Sequence, residues 1–397
     1  MVCRKLLYIS AIFSLMLFIN QATANDFALS GKLNLQYGFN SNDFSRLSFN
    51  ATSTLEYSYH INDYFSVGPF LKLSTNLMSN SIDSSGNAKD SILDINSNTK
   101  EAYVFIKSSN IGSLQVGLTS PVSQKMKLSS SDISVASGGV TGSWLQYVNL
   151  RTDNSNFSYG HNKEDTVLFT PGLYIAYHGS AIPVVSYYSP QIKGIKLGLS
   201  YIPKDKIQDI ANNIKSHVYK NIVSVGVKYQ NQLSSGIGYS ISGVVEHAVN
   251  DLLPASNQQQ QVQYNNLLSY NAGFSLKYNN ITFIGSYGNL GNSGKKEISV
   301  QSNHYKIIDS EFYDLGLKIE NDLFNVGLSY FYGGKKVNLK TSPENYAKHA
   351  LSACALGIEK ILRNNMILYA DIVFFDVDRT DTNKSGYIGL IGAKLSF

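Results

Sequence analysis

Apolar and polar residues alternate along most of the chain with a period of two. In 27–39 the odd positions are apolar or Gly, whereas Lys32, Asn34 and Gln36 lie between them, and 46–61 continues the same pattern. A strand places such apolar residues on one face, whereas a helix would scatter them around its circumference. The pattern therefore predicts β-strands, each with one apolar face.

Sixteen segments carry this alternation. Their lengths suit the roughly 9–11 residues that a tilted, membrane-crossing strand needs. They are 27–39, 46–61, 64–78, 98–108, 113–118, 182–189, 195–202, 222–231, 236–248, 267–279, 281–289, 311–320, 324–333, 350–361, 366–376 and 387–397. The sequence thus predicts an all-β chain with about sixteen strands.

The connections between these segments differ in length according to their order. From the second strand onward, short turns such as 62–63 alternate with linkers that are mostly long and polar, such as 79–97 and 119–181. Bacterial barrels have an even number of strands, short periplasmic turns and long extracellular loops. The alternation therefore predicts a transmembrane, antiparallel, up-and-down β-barrel with both termini in the periplasm.

The first 24 residues are typical of a secretory signal peptide. Arg4 and Lys5 precede an apolar stretch at 6–19, and Ala22 and Ala24 supply small residues for cleavage. A helix over that stretch would cover ~21 Å, short of the ~30 Å hydrocarbon core, which favours a cleaved leader over an anchor. Residues after the leader are then expected to form one barrel domain, 25–397.

The composition of the chain mainly excludes certain partners and sites. Charged residues make up 15% of the chain, against ~25% in average soluble proteins, while Tyr and Phe number 27 and 19. A net charge of +5 gives no reason to expect a nucleic-acid partner. Cys354 is the only cysteine after the leader, so an intramolecular disulfide is impossible there. Neither a metal site nor a cofactor is expected.

Catalytic motifs are absent from the sequence. The seven His residues show no H-E-x-x-H spacing, and there is no G-x-S-x-G elbow and no Walker or Rossmann loop. Loop carboxylates such as Asp83 and Asp90 are suited to weak calcium binding, but ordinary loop acidity is the favoured explanation for them. The sequence therefore predicts a protein that is not an enzyme.

Three segments resemble the Gram-negative trimeric porin family, especially its α-proteobacterial members. KEAYVFIK at 100–107, followed by GSLQVGL at 112–118, is similar to that family's fourth and fifth strands. VSYYSP at 185–190, followed by KGIKLGLSY at 193–201, is similar to the hairpin after its constriction loop. The last strand, ending at Phe397, resembles the signal that the barrel-assembly machinery reads.

The resemblance implies an outer-membrane porin: a water-filled channel for passive diffusion of small hydrophilic solutes and ions. It implies a homotrimer embedded in outer-membrane lipid and lipopolysaccharide, with 79–97 in the position of the family's latch loop. A substrate-specific channel, or a surface adhesin acting through 79–97 or 249–266, is the alternative on the same fold. Saturable block by a solute would distinguish a specific channel from a general one.

The resemblance also implies that the third loop, 119–181, folds inward and narrows the pore. The family places acids on this loop and bases on the facing wall. Candidate loop acids are Asp132, Asp153, Glu164 and Asp165, and candidate wall bases on polar strand faces are Lys32, Arg46 and Lys72.

The same linker contains a cluster of apolar residues that needs cover. Trp144 is the only Trp in the chain, and Val140, Leu145, Val148 and Leu150 are its apolar neighbours in sequence. An excursion of this length without a role would be unusual. We therefore expect the barrel wall to cover this cluster from inside.

Overall fold

A computed structural model describes residues 25–41, 45–78, 94–148, 173, 182–204, 207–208, 215–216, 219–250, 263–300, 303–339, 346–362, 365–378 and 383–397. Sixteen strands of its main sheet form a barrel. They are β1 (Asn25–Asn40), β2 (Ser45–Asn62), β3 (Phe65–Met78), β4 (Asp94–Ser108), β5 (Gly112–Thr119), β6 (Ile182–Tyr188), β7 (Ile195–Lys204), β8 (Tyr219–Gln232), β9 (Gly238–Asn250), β10 (Leu267–Tyr278), β11 (Ile281–Asn289), β12 (Asn303–Glu320), β13 (Asn325–Leu339), β14 (Tyr346–Ile361), β15 (Met366–Asp378) and β16 (Asn383–Ser396).

Each strand pairs antiparallel with its neighbours in sequence, and the first strand pairs with the last. Lys32 of β1 lies opposite Ser396 of β16, and the register continues to the other end of β1. At this seam the Gly31 N–H donates to the Phe397 carbonyl at 2.8 Å, and the Phe397 N–H donates back at 3.0 Å. The described strands thus form a closed, up-and-down barrel of sixteen strands, which confirms the predicted fold class.

Several strands extend further than the alternation predicted. β12 begins at Asn303, inside the linker predicted over 290–310. The same linker contains a short strand, Gly294–Val300, which pairs with β12 and with Gln263–Asn265. The pattern missed these extensions because it detects only strands with one apolar face.

The two faces of the barrel differ as the alternation requires. On β1, Leu35, Tyr37 and Phe39 are exposed on the outer face, whereas Gln36 is buried on the inner face. Ser224 of β8 is likewise buried on the inner side between two exposed valines. The polar face therefore lines the interior and the apolar face forms the outer surface, as in membrane barrels.

Tyrosines form a row on the outer face across four neighbouring strands, β10 to β13. The ring centroids of Tyr270 and Tyr287 are 6.3 Å apart, those of Tyr287 and Tyr313 are 5.1 Å apart, and those of Tyr313 and Tyr332 are 6.1 Å apart. Aromatic girdles of this kind lie at the membrane–water interface. The row therefore marks one edge of the lipid-facing band.

Short helices are concentrated in the segment after β5. They are α1 (Val122–Lys125) and the 3-10 helices Ser130–Asp132, Gly139–Thr141 and Ser143–Tyr147. No helix in the described part of the chain is long and apolar enough to span a membrane. We call residues 120–148, which lie inside the barrel, the inner belt.

Candidate functional site

The inner belt follows the circumference of the barrel interior. Near its start, the Val122 N–H donates to Ser200 Oγ on β7 at 2.8 Å. Near its end, the Tyr147 hydroxyl lies 2.9 Å from Ser48 Oγ on β2. Between these points it makes hydrogen bonds to further strands on the way round, including Ser329 Oγ on β13, which accepts from the Val140 N–H at 3.0 Å. The belt therefore lies against the inner wall from β7 round to β2.

Four carboxylates on the inner face of the wall hold the belt in place. Glu246 of β9 accepts a hydrogen bond from Ser123 Oγ, and Asp314 of β12 accepts two from Ser130, from its N–H and its Oγ, at 2.6 Å each. Glu359 of β14 accepts a hydrogen bond from the Ala136 N–H at 2.8 Å. Asp371 of β15 accepts one from the Ser137 N–H at 2.6 Å. None of the four is more than 9% exposed. Hydrogen bonds to carboxylates are about twice as strong as neutral ones. These acids are thus engaged with the belt and shielded from water in the pore.

Apolar packing adds to these hydrogen bonds. Val140 and Trp144 are fully buried, and Leu145 is nearly so. The Trp144 ring lies against Phe375 of β15, with centroids 5.6 Å apart. The wall therefore provides the apolar cover that the sequence required for these residues, while Leu150 lies outside the described residues.

Glycines on the inner face let the belt approach the wall closely. A Cβ added to Gly198 of β7 would lie 2.4 Å from Met126 Sδ. A Cβ added to Gly273 of β10 would lie 2.9 Å from Leu128 Cβ. The sequence analysis did not predict that these glycines make room for the belt.

Two lysines of the belt, Lys125 and Lys127, lie in the barrel interior. Lys125 Nζ donates to Thr119 Oγ1 at 2.6 Å and lies 3.4 Å from Glu101 Oε2 on β4. Burial lowers the pKa of Lys125, and the charge of Glu101 partly offsets this effect. Burial also lowers the pKa of Lys127 to about 8, against the opposing influence of nearby carboxylates, Asp314 first among them.

The predicted wall bases lie on the inner face of their strands. Lys32 on β1 is exposed to the interior, and Arg46 on β2 and Lys72 on β3 are partly buried. Lys72 lies opposite Glu101 in the β3–β4 register. Strand parity therefore identified three inner-face cations correctly, whereas their role in a constriction stays a prediction.

The predicted loop acids are only partly covered by the described residues. Asp132 belongs to the belt, is exposed, and accepts the Ser129 N–H at 3.1 Å, which caps a 3-10 helix. Asp153, Glu164 and Asp165 lie outside the described residues. The predicted pairing of these three acids with Lys72 therefore stays a prediction.

Sequence reasoning missed the wall acids that bind the belt. Glu246, Asp314, Glu359 and Asp371 each occupy an inner-face position within a strand. A carboxylate is unfavourable when buried without partners, so an acid on the polar face of a strand was a usable signal. The family resemblance predicted acids on the third loop and gave no role to acids on the wall.

Comparison with known proteins agrees with this architecture. A family model described as Gram-negative porin matches residues 11–378. An uncharacterized protein of Rickettsia conorii is 22% identical, with 76% of each chain covered. Salmonella typhi OmpF in complex with daunomycin has a TM-score of 0.60 at 12% identity, covering 94% of this chain and 98% of that chain. The trimer form of Vibrio cholerae OmpT has a TM-score of 0.52 at 12% identity, covering 94% and 100%.

The family match spans nearly the whole chain, and the closed barrel with a polar inner face is the architecture that this family requires. A sixteen-stranded barrel leaves an aqueous channel at its centre, and the fold points to a channel rather than an enzyme. The chain belongs to the Gram-negative porin family and forms an outer-membrane channel for passive diffusion.

Proposed function

We propose that the protein is a general diffusion porin whose third loop, 119–181, narrows the pore and whose interior favours small anions over cations. The observation that carries this proposal is the unequal exposure of inner-face charges. The four wall acids that bind the belt are buried, whereas Lys32 is exposed and Lys72 is only partly buried. Among the described residues, the inner-face charge that is exposed to pore water is therefore more positive than the net charge of the chain suggests.

Local charge governs ion preference more strongly than net charge does. A narrow passage with low-dielectric walls focuses the field of the charges that line it, so a few exposed ammonium groups concentrate anions there. Low salt should reveal the effect best, because the Debye length grows from ~10 Å at 0.1 M to ~30 Å at 0.01 M.

The test is the reversal potential of the purified protein in a planar bilayer under a gradient of potassium chloride. The parent should favour chloride, and Lys72→Glu should move selectivity toward cations, more so at low salt. Lys360→Glu is the matched control, because Lys360 is exposed on the outer face of β14. A parent that favours cations, or equal effects of the two substitutions, would contradict the proposed preference.

Narrowing by the third loop has its own test. Removing 130–165 deletes much of the inner belt together with residues outside the described part of the chain. We expect a higher single-channel conductance because the belt occupies space along the wall. A trimmed barrel that inserts normally yet conducts like the parent would contradict the narrowing and leave the channel intact.

We also infer a homotrimer. The resemblance to trimeric porins supports it, as does the Vibrio cholerae neighbour described as a trimer form. Closure of conductance in three steps at high voltage, together with a heat-sensitive band of high mass on mild gels, is the expected result. One conductance level with a monomer mass in native detergent would exclude the trimer.

Biogenesis follows the same proposal. Residues 1–24 are exported as a leader and removed, the barrel-assembly machinery reads the strand that ends at Phe397, and the mature barrel lies among lipopolysaccharide and outer-membrane lipid. The Phe397 ring is 63% exposed at the β1–β16 seam and therefore accessible. N-terminal sequencing of the mature protein should begin at Asn25, and a different first residue would correct the cleavage site.

A further inference from the structure

Two aromatic rings stand side by side on the inner face of the wall, where polar residues predominate. Phe70 of β3 lies opposite Tyr103 of β4, and the ring centroids are 4.7 Å apart with planes at 20°. That separation matches the spacing of adjacent strands, so the two rings stand nearly parallel, and Lys125 Nζ lies 4.9 Å from the centroid of the Tyr103 ring. Both rings are only partly buried. A half-exposed apolar pair inside an aqueous pore offers a contact surface to a passing solute.

An available ammonium group lies beside this pair. Lys72 follows Phe70 by two residues on the same face of β3, so their Cα atoms are ~7 Å apart. The acids nearby are engaged by other cations: Glu101 by Lys125 and Glu56 by Lys107. No ion pair of Lys72 occurs within the described residues. Lys72 is therefore available to a negative group on a solute.

We propose that Phe70, Tyr103 and Lys72 form a binding site for small planar organic anions, such as aromatic carboxylates. A planar solute ring can pack on the two rings in the offset-stacked or edge-to-face arrangements that aromatic groups prefer. Lys72 then pairs with the carboxylate at the other end of the solute. An inorganic anion gains only the second contact and a neutral sugar lacks the ion pair, so both are bound less well.

The site deepens the proposed channel function and rests on it. It makes the channel selective among anions of equal charge. The expected behaviour is saturable block by a planar aromatic anion. Anions of the same charge without a ring should pass with no such block.

The experiment measures block of the potassium chloride current in planar bilayers by benzoate, with acetate as the probe of equal charge. We expect benzoate to block saturably and acetate not to block at matched concentrations. Phe70→Leu keeps an apolar side chain but removes the ring, and it should weaken benzoate block about fivefold. Lys72→Gln should weaken block about threefold to fivefold.

The matched control is Lys32→Gln, which removes another inner-face ammonium from β1, away from the ring pair. It should lower anion selectivity slightly and leave the benzoate affinity unchanged. Benzoate block no stronger than acetate block, or equal effects of Lys32→Gln and Lys72→Gln, would overturn the site while the salt current still reports a working channel. Absence of any salt current would refute the channel and the site together.

Discussion

Asp314 of β12 binds Ser130 of the inner belt with both carboxylate oxygens, one accepting the backbone N–H and the other the hydroxyl, each at 2.6 Å. The two residues are 184 positions apart in sequence, so this contact fixes the belt to a strand formed much later in the chain. Two short bonds to one buried acid define both the position and the orientation of the belt. Asp314 therefore fixes the belt to β12 at Ser130.

Asp314→Ala should loosen the belt while the barrel remains folded. The substitution leaves the buried Ser130 N–H without its acceptor, at a cost of about 1–3 kcal/mol to belt attachment. We expect a noisier open-channel current in single-channel recordings and a larger mean conductance. Asp376→Ala, which removes an exposed acid from the outer face of β15, should behave like the parent. Equal noise in both variants would show that Asp314 does not hold the belt.

Trp144 reports directly on belt packing because it is the only tryptophan in the chain. Phe375→Ala removes the ring against which Trp144 lies and should cost about 3–5 kcal/mol of packing. We expect the fluorescence emission to shift to longer wavelength and iodide quenching to increase. The adjacent Phe374 is 53% exposed on the outer face, so Phe374→Ala should leave both signals unchanged. A parent protein whose Trp144 is readily quenched would contradict the buried belt.

The sequence was most informative about strands and least informative about the belt. Alternation over 27–39 and 46–61 identified strands because a half-buried strand imposes a local period of two. The inner belt has no such period, because its conformation depends on partners in distant strands such as Asp314 and Ser329. Its inward position was expected from the family resemblance, from the length of the linker and from the apolar cluster around Trp144. Which wall atoms bind it depended on the barrel register, and a single chain sequence does not specify that directly.

The same limit explains the uneven result for charged residues. The face of a strand on which a residue lies follows from the local alternation of the sequence, and this alternation placed Lys32, Arg46 and Lys72 on the inner face correctly. Whether a charged side chain on the inner face is exposed to water or forms a hydrogen bond with the belt depends on the path of the belt. Glu246 and Lys72 both occupy inner-face positions, yet the first is fully buried and the second is not.

Face assignment on β1 can be tested by two neighbouring substitutions. Leu35 is 48% exposed on the outer face, so Leu35→Arg near mid-membrane should destabilise the barrel by roughly 2–4 kcal/mol. Asn34 faces inward, with its Oδ1 2.8 Å from the Tyr369 hydroxyl, and the single hydrogen of that hydroxyl has an alternative acceptor in Gln36 Oε1 at 2.9 Å. Asn34→Arg should therefore cost little. Urea midpoints measured in lipid vesicles would give the comparison, and equal losses would reverse the face assignment.

The seam that closes the barrel depends on a glycine under the Phe397 ring. A Cβ added to Gly31 would lie 2.3 Å from Phe397 Cζ, so Gly31→Val must push the ring away from the β1–β16 junction. Overpacking of this kind costs about 1–3 kcal/mol. We expect a lower urea midpoint and a larger fraction of barrels that unfold on gels at moderate temperature.

Gly243→Val provides the matched control for this seam. Gly243 also lies on the outer face, but a Cβ there would meet only Val227 Cγ1, at an ordinary 3.7 Å. Because valine has a higher strand propensity than glycine, this control should be neutral or slightly stabilising. If Gly31→Val and Gly243→Val unfold at the same urea concentration, the Phe397 ring does not pack on Gly31 in the membrane. A selective loss for Gly31→Val would instead establish that the closing seam needs the last aromatic ring seated against β1.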